Sequence, residues 1–282
     1  MEFQMLDQEF WYGGAVYEGY RQPVGMKDCV EWDFRENPTA NQLMPLFLSS
    51  KGRYLWSEEG FLIRFHEGKV TVEGNGKIEL QEGFQDLRGA YLAAMKAHFP
   101  FHEIRLSNRF FEAPVYNTWI ELTFYQAQDK VLEYARGILE HGLEPGILMI
   151  DDGWSPYYGK WEFRRDNFPD PEAMLRELHD MEVRKQYLPQ ILEAVDCARK
   201  TGEPIVRHME YVFPGQGMEC LMDQFMIGDK LLAAPVDEKS VTQRKVRLPK
   251  GMWKLGDRVI DSKGEDILLE QKDGPLVLER CE

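Results

Sequence analysis

Residues 145–163 read PGILMIDDGWSPYYGKWEF: an apolar run, Gly146 to Ile150, delivers two adjacent acids, Asp151 and Asp152, with Trp154, Tyr157, Tyr158 and Trp161 directly behind them. Carboxylates accept hydrogen bonds bidentately from vicinal hydroxyls, and indole or phenol faces cover the C–H faces of a sugar ring, so these residue types suit a carbohydrate subsite. A structural reading stands beside it: Asp152-Gly153 as a turn, Asp151 capping nearby backbone, and the rings packed under a long loop. On a strand, Ile147, Met149 and Asp151 share one face and Leu148, Ile150 and Asp152 the other. The two acids therefore cannot act as a facing catalytic pair.

The elements that must position this cluster follow a strand–helix rhythm. NTWIELTF reads as a strand, and QAQDKVLEYARGILEHG as a helix with Val131, Ala135 and Ile138 on one stripe and Gly142 as its stop. The strand ending at Asp151 comes next, then the helix DPEAMLRELHDM, with Asp170 as N-cap and Pro171 at the first helical position. Such alternation predicts a parallel α/β layer, where ligands gather at the carboxyl ends of the strands. After Met181 the rhythm fails, because QYLPQILEAVDCARKTG supplies a second helix with no strand between. A strand returns only at EPIVRHMEYVF.

On either side the texture is β. PLFLSSKGRYLWSEEGFLIRF and KVTVEGNGKIEL are short β-branched and aromatic runs broken by turn residues, interrupted by one helix, LRGAYLAAMKAHF, that stops at Pro100. QFMIGDKLLAAPV, RKVRLP, GMWKLGD and GPLVLER continue in the same manner to the end. The predicted organisation is a β-sandwich-like part over 1–106, an α/β part over 107–215 and an all-β part over 216–282. EGNGKIEL lacks a following helix and a G-K-[ST] ending, so it reads as a hairpin turn and not a phosphate loop.

The chain of 282 residues carries 48 acids against 34 bases, a net charge of −14. That balance argues against a nucleic-acid backbone as partner, because no net positive field exists to displace counterions. Cys29, Cys197, Cys220 and Cys281 show no metal-ligand or disulfide spacing and read as buried free thiols. No apolar leader or stretch of about 18 apolar residues occurs. A soluble, cytoplasmic protein with no membrane partner, metal or organic cofactor is expected.

YNTWIELT, PGILMIDDGWSPYYGKWEF, FPDPEAM and WYGGAVYEGYRQPVG, followed by GEPIVRHMEYVFP, QFMIGDKLLAAPV and RLPKGMW, resemble glycoside hydrolase family 31, the retaining α-glycosidases. The resemblance implies a (β/α)8 barrel between an N-terminal β-sandwich and a C-terminal β domain, an α-glycoside as partner, and no cofactor. It assigns Asp151 to the sugar beside the cleaved bond and places Trp11 and Tyr12 in a loop lent to the active site. Trp119 lines the same cleft or is buried in the barrel wall, and Glu121 is equally open. With Asp152, Trp154 and Trp161 these form the expected substrate-binding set.

The resemblance also has a gap. The middle barrel strands, which in the family bear the aspartate nucleophile and the acid/base, would fall between Met181 and Glu182, where the rhythm fails. The start likewise lacks family β strands ahead of WYGG. An incomplete barrel with no catalytic pair is expected: an α-glycosidase by descent that is inactive in this chain, or else a non-catalytic sugar-binding remnant of a deleted gene. Among substitutes, Glu203 precedes its strand, Glu210 faces solvent, and His208 is a satisfied structural histidine. Exposed inner faces, Met149 and Ile205 among them unless repacked on Tyr187 and Leu188, are expected to favour self-association.

Overall fold

The computed structural model describes residues 1–37, 39, 41–101, 108–179, 188–235, 242–271 and 275–281. Two compact units emerge: Met1–Glu103 with Asp196–Glu282, and Ile104–Val195.

The first unit begins with two four-stranded antiparallel sheets. One has the order Glu2–Gln4, Lys69–Gly74, Phe61–His66, Cys29–Asp33, and the other Trp11–Ala15, Leu43–Ser49, Tyr54–Ser57, Ile78–Gln81. Phe61, Ile63 and Phe65 alternate along one strand and Val70 and Val72 along its neighbour, so one face of each is apolar. That face closes with Trp11, Trp32, Phe34 and Phe47 from both sheets into one buried cluster. Gly13 and Gly14 form a bulge against Leu43–Ser49. At Gly13, φ is +146°, and an added Cβ would lie 2.1 Å from the Leu46 carbonyl oxygen, so only glycine fits there.

Helix Leu87–His98 starts where the Asp86 Oδ1 accepts from the Gly89 N–H at 2.8 Å and ends ahead of Pro100, the stop expected from the sequence. In the C-terminal part a six-stranded sheet runs in the order Val206–Arg207, Phe225–Ile227, Leu231–Ala234, Leu276–Arg280, Gly251–Leu255, Arg258–Ser262. A ribbon of Gln243–Leu248 and Glu265–Glu270 joins it around Trp253, Met226 and Leu248. The strand expected across EPIVRHMEYVF is shorter than its composition suggests, because the His208 Nδ1 accepts from the Glu210 N–H at 3.2 Å and starts the helical turn Met209–Val212.

In the second unit, strand Val115–Asn117 pairs in parallel with Ile147–Met149, and helix Gln128–Glu140 lies between them in sequence. Val131, Leu122, Phe168 and Met174 form its core, with Leu148 and Ile150 packed against them. The strand expected over NTWIELTF ends early. The Asn117 Oδ1 accepts from the Trp119 N–H at 2.7 Å, and that turn sets Trp119–Leu122 into a helical turn. Helix Pro171–His179 begins as predicted, with the Asp170 Oδ1 accepting from the Ala173 N–H at 2.9 Å. Helix Leu188–Thr201 follows. Among the described residues, parallel pairing is confined to Val115–Asn117 and Ile147–Met149. The Met181–Glu182 junction and Tyr187 lie outside the described residues, as does the side chain of Leu188.

Candidate carbohydrate-binding site

Asp151 and Asp152 emerge from the carboxyl end of Ile147–Met149, and the backbone there is anchored before the loop begins. The Asp151 N–H donates to the Thr118 Oγ1 at 3.1 Å, and the Thr118 hydroxyl donates to the Gln126 Oε1 at 2.8 Å. Thr118 and Gln126 are fully buried, so this link holds Asp151 against the preceding turn. The Asp151 Oδ1 accepts from the Asp152 N–H at 2.7 Å. The Tyr158 hydroxyl donates to the Asp152 Oδ2, and that bond raises the Tyr158 phenol above its ordinary range. Both acids are half-buried.

The rings divide by environment. Trp154 is half-buried, 5.1 Å edge-on from Phe163 and 6.2 Å from Trp161, and belongs to the rim of the core. Trp161 is 86% and Tyr158 84% exposed, so both present open faces. Trp119 packs edge-on against Phe124 at 4.8 Å and is half-buried, while Glu121 is exposed. Asp151, Asp152, Trp154 and Trp161 thus sit on one loop with acids and exposed rings in sequence contact.

Trp11 and Tyr12 belong to the other unit. Trp11 requires correction as a sugar-stacking residue: it is 0% exposed within the sheet core, with the Arg53 guanidinium 5.4 Å from its ring centre, so no face is open to a ligand. Tyr12 donates through its hydroxyl to the Glu219 carbonyl at 3.0 Å and packs 5.4 Å from the His208 ring. Burial, then the Glu210 charge, pushes the Tyr12 phenol far above its ordinary range.

Glu210 does not face solvent. It is 2% exposed, and its Oε1 accepts from the Gly215 N–H at 3.0 Å. The Glu210 Oε2 and His208 Nε2 are buried without a hydrogen-bond partner among the described residues. Burial lifts the Glu210 carboxyl to about 7 and lowers the His208 imidazole below its usual value. Glu203 is a buried ion-pair member: the Arg88 Nη2 lies 2.7 and 2.6 Å from its two oxygens, and the Arg207 Nη1 3.1 Å from Oε2. The thiols also differ from expectation, since Cys29 and Cys220 are exposed and Cys197 and Cys281 half-buried. Among the described residues no three His, Cys, Asp or Glu side chains are grouped as metal ligands.

Residues 115–213 match the domain model "Glycosyl hydrolases family 31 TIM-barrel domain", and residues 202–267 match "Glycosyl hydrolase family 31 C-terminal domain". Together these cover more than half the chain, which belongs to glycoside hydrolase family 31 and is a glycosidase-like protein. Over 67 residues, 23% of the chain and 9% of the relative, it is 43% identical to the myogenesis-regulating glycosidase of Mus musculus. Over 72 residues, 25% of the chain and 9% of the relative, it is 33% identical to alpha-glucosidase 2 of Bacillus thermoamyloliquefaciens. The matched stretches therefore span about a tenth of each of these relatives' length.

The fold resembles the Flavobacterium johnsoniae family 31 dextranase complexed with glucose, with a TM-score of 0.73 at 10% identity over 99% of this chain and 66% of that one. A family 31 alpha-xylosidase from a soil metagenome, complexed with xylose, gives 0.71 at 12% identity over 99% and 79%.

Proposed function

We propose that this protein is an α-glycosidase by descent, with an incomplete barrel flanked by β domains, that engages α-glycosides at the loop after Asp151 without hydrolysing them. The observation that carries the reading is the extent of the barrel match. A complete (β/α)8 barrel takes about 250 residues and at least about 200, whereas the barrel domain matches this chain within residues 115–213. The confinement of parallel pairing to two strands among the described residues supports it.

Retaining hydrolysis needs two carboxyls about 5–5.5 Å apart, one attacking the anomeric carbon and one moving a proton. Asp151 and Asp152 are consecutive, and the hydrogen bonds on each suit roles in holding hydroxyls. Asp151 accepts from a sugar hydroxyl, while Trp161 and Tyr158 offer faces to the ring's C–H groups. Glucose and xylose in the fold neighbours support a carbohydrate ligand.

The test is turnover of chromogenic α-glucosides, α-galactosides and α-xylosides by the full chain, expected at the buffer blank. Binding of methyl α-glycosides, followed by saturation-transfer NMR, is expected at millimolar affinity, about 4 kcal/mol, and weaker in Asp151→Asn. Turnover that survives repurification and disappears in Asp151→Asn overturns the reading.

A further inference from the structure

The family assignment leaves one cluster of reactive side chains unused. Cys29 and His66 are direct register partners at the ends of strands Cys29–Asp33 and Phe61–His66. The Cys29 Sγ lies 3.2 Å from the His66 Nδ1, and both residues are exposed. A nucleophile and a base within hydrogen-bonding reach, held on a rigid sheet, form the arrangement in which an imidazole takes a thiol proton as sulfur attacks.

Cys29 also lines an open cavity of about 420 Å³, together with Tyr20, Arg21, Asp28 and Cys220. Arg21 supplies the cation of this wall, with its Nη1 3.2 Å from Glu18 and its guanidinium 5.5 Å from the Trp32 ring centre. Asp28 also lines the cavity, its Oδ2 accepting from the Gly25 N–H at 2.7 Å. The second thiol of the cavity is differently placed. Partial desolvation of its sulfur, and after it the charges of Glu219 and Asp28, push the Cys220 thiol up, away from the thiolate form that attacks. The cavity therefore has one sulfur with a base beside it, and a cation on its wall.

We propose that Cys29, with His66 as its proton acceptor, is a thiol-exchange site that forms a mixed disulfide with small, carboxylate-bearing disulfides. Cys29 sulfur attacks one sulfur of the incoming disulfide. The Cys29–S bond forms as the ligand's S–S bond breaks, and the departing thiolate takes up the proton held by His66. Two thiol–disulfide oxidation levels are exchanged, and no further oxidant is required. Arg21 favours a ligand that carries a carboxylate.

The experiment treats the full chain with oxidised glutathione, quenches with acid, and follows the adduct at each cysteine by peptide mass spectrometry. Cys29 is expected to be modified faster than Cys197, Cys220 or Cys281 by about tenfold, the order set by activation and access. His66→Gln, an exposed substitution, is expected to slow Cys29 by about tenfold through loss of the base while leaving Cys281 unchanged as an internal standard. Arg21→Gln is expected to slow reaction with oxidised glutathione but not with uncharged hydroxyethyl disulfide. Equal modification of all four thiols, preference for Cys220, a Cys29–Cys220 disulfide as main product, or an unaltered Cys29 rate in His66→Gln overturns the proposal.

Discussion

Glu210 is a carboxyl that the fold keeps out of water, and its ionisation carries a stability cost with a definite sign. Burial lifts it from 4.5 to about 7; the Glu219 and Asp86 charges add to the rise, and the Gly215 N–H and Lys51 oppose it. A folded value above the unfolded one means the folded state binds the proton more tightly. This contribution is therefore present in full below about pH 4.5 and lost progressively as pH rises towards 7. The neighbouring His208 works in the opposite sense: lowered by burial, it destabilises the fold as pH falls through its unfolded value. Comparing the protein with Glu210→Gln isolates the first effect. Urea unfolding of the variant is expected to show a gain of up to roughly 3 kcal/mol at pH 8 over the parent, shrinking towards zero at pH 4.5. A constant difference across that range contradicts the assignment. None of this was legible in HMEYVFPG, since burial of Glu210 depends on a fold that brings Tyr12 beside His208, about 200 residues away in sequence.

At the scale of elements, the loop ahead of Trp11–Ala15 is tied down by a buried ion pair. Glu9, 1% exposed, accepts from the Arg53 Nε at 2.9 Å, from the Leu6 N–H at 2.9 Å and from the Ser49 hydroxyl. Arg53, 4% exposed, reaches Glu82 at 3.0 Å and the Gln4 carbonyl at 3.1 Å. Removing Glu9 leaves the buried Arg53 charge with only the exposed Glu82 as its partner, so Glu9→Ala is expected to lower stability by about 3 kcal/mol in urea titration. A loss under about 1 kcal/mol, the range of exposed pairs, contradicts a buried role. Elements specified by neighbouring residues were readable in advance: Asp170-Pro171 marks a helix start through contacts within three positions, and the acids and rings of residues 151–161 are consecutive along one strand and loop. Elements decided by one side chain bonding to backbone were not. Asn117 turns a β-type stretch, W-I-E-L-T-F, into a helical turn, and His208 does the same after Val206–Arg207. The burial of Trp11 was not legible either, since it rests on Trp32, Phe34, Phe47 and Phe65 from strands distant in sequence.

For the whole molecule, exposed apolar surface and net charge act against each other. In the second unit Ile120 is 88%, Tyr125 81%, Phe124 61%, Val115 53% and Met149 48% exposed. Apolar side chains exposed to this extent on a monomer favour association, and among the described residues the parallel pair Val115–Asn117 and Ile147–Met149 has no third strand beside it, which adds backbone groups available for pairing. Opposing this is the net charge of −14, which keeps copies apart at low ionic strength. Screening shortens the reach of that repulsion from about 30 Å at 0.01 M salt to about 3 Å at 1 M, while apolar association is not weakened. Light scattering is therefore expected to report a rising molar mass of soluble oligomers as salt increases, the reverse of association held by surface ion pairs. Ile120→Glu with Tyr125→Glu removes two of the most exposed groups from one short segment and adds repulsion, so this double variant is expected to remain monomeric over the same salt range. A monodisperse monomer of the parent chain at high salt, or a double variant that associates as the parent does, shows that this surface does not drive self-association.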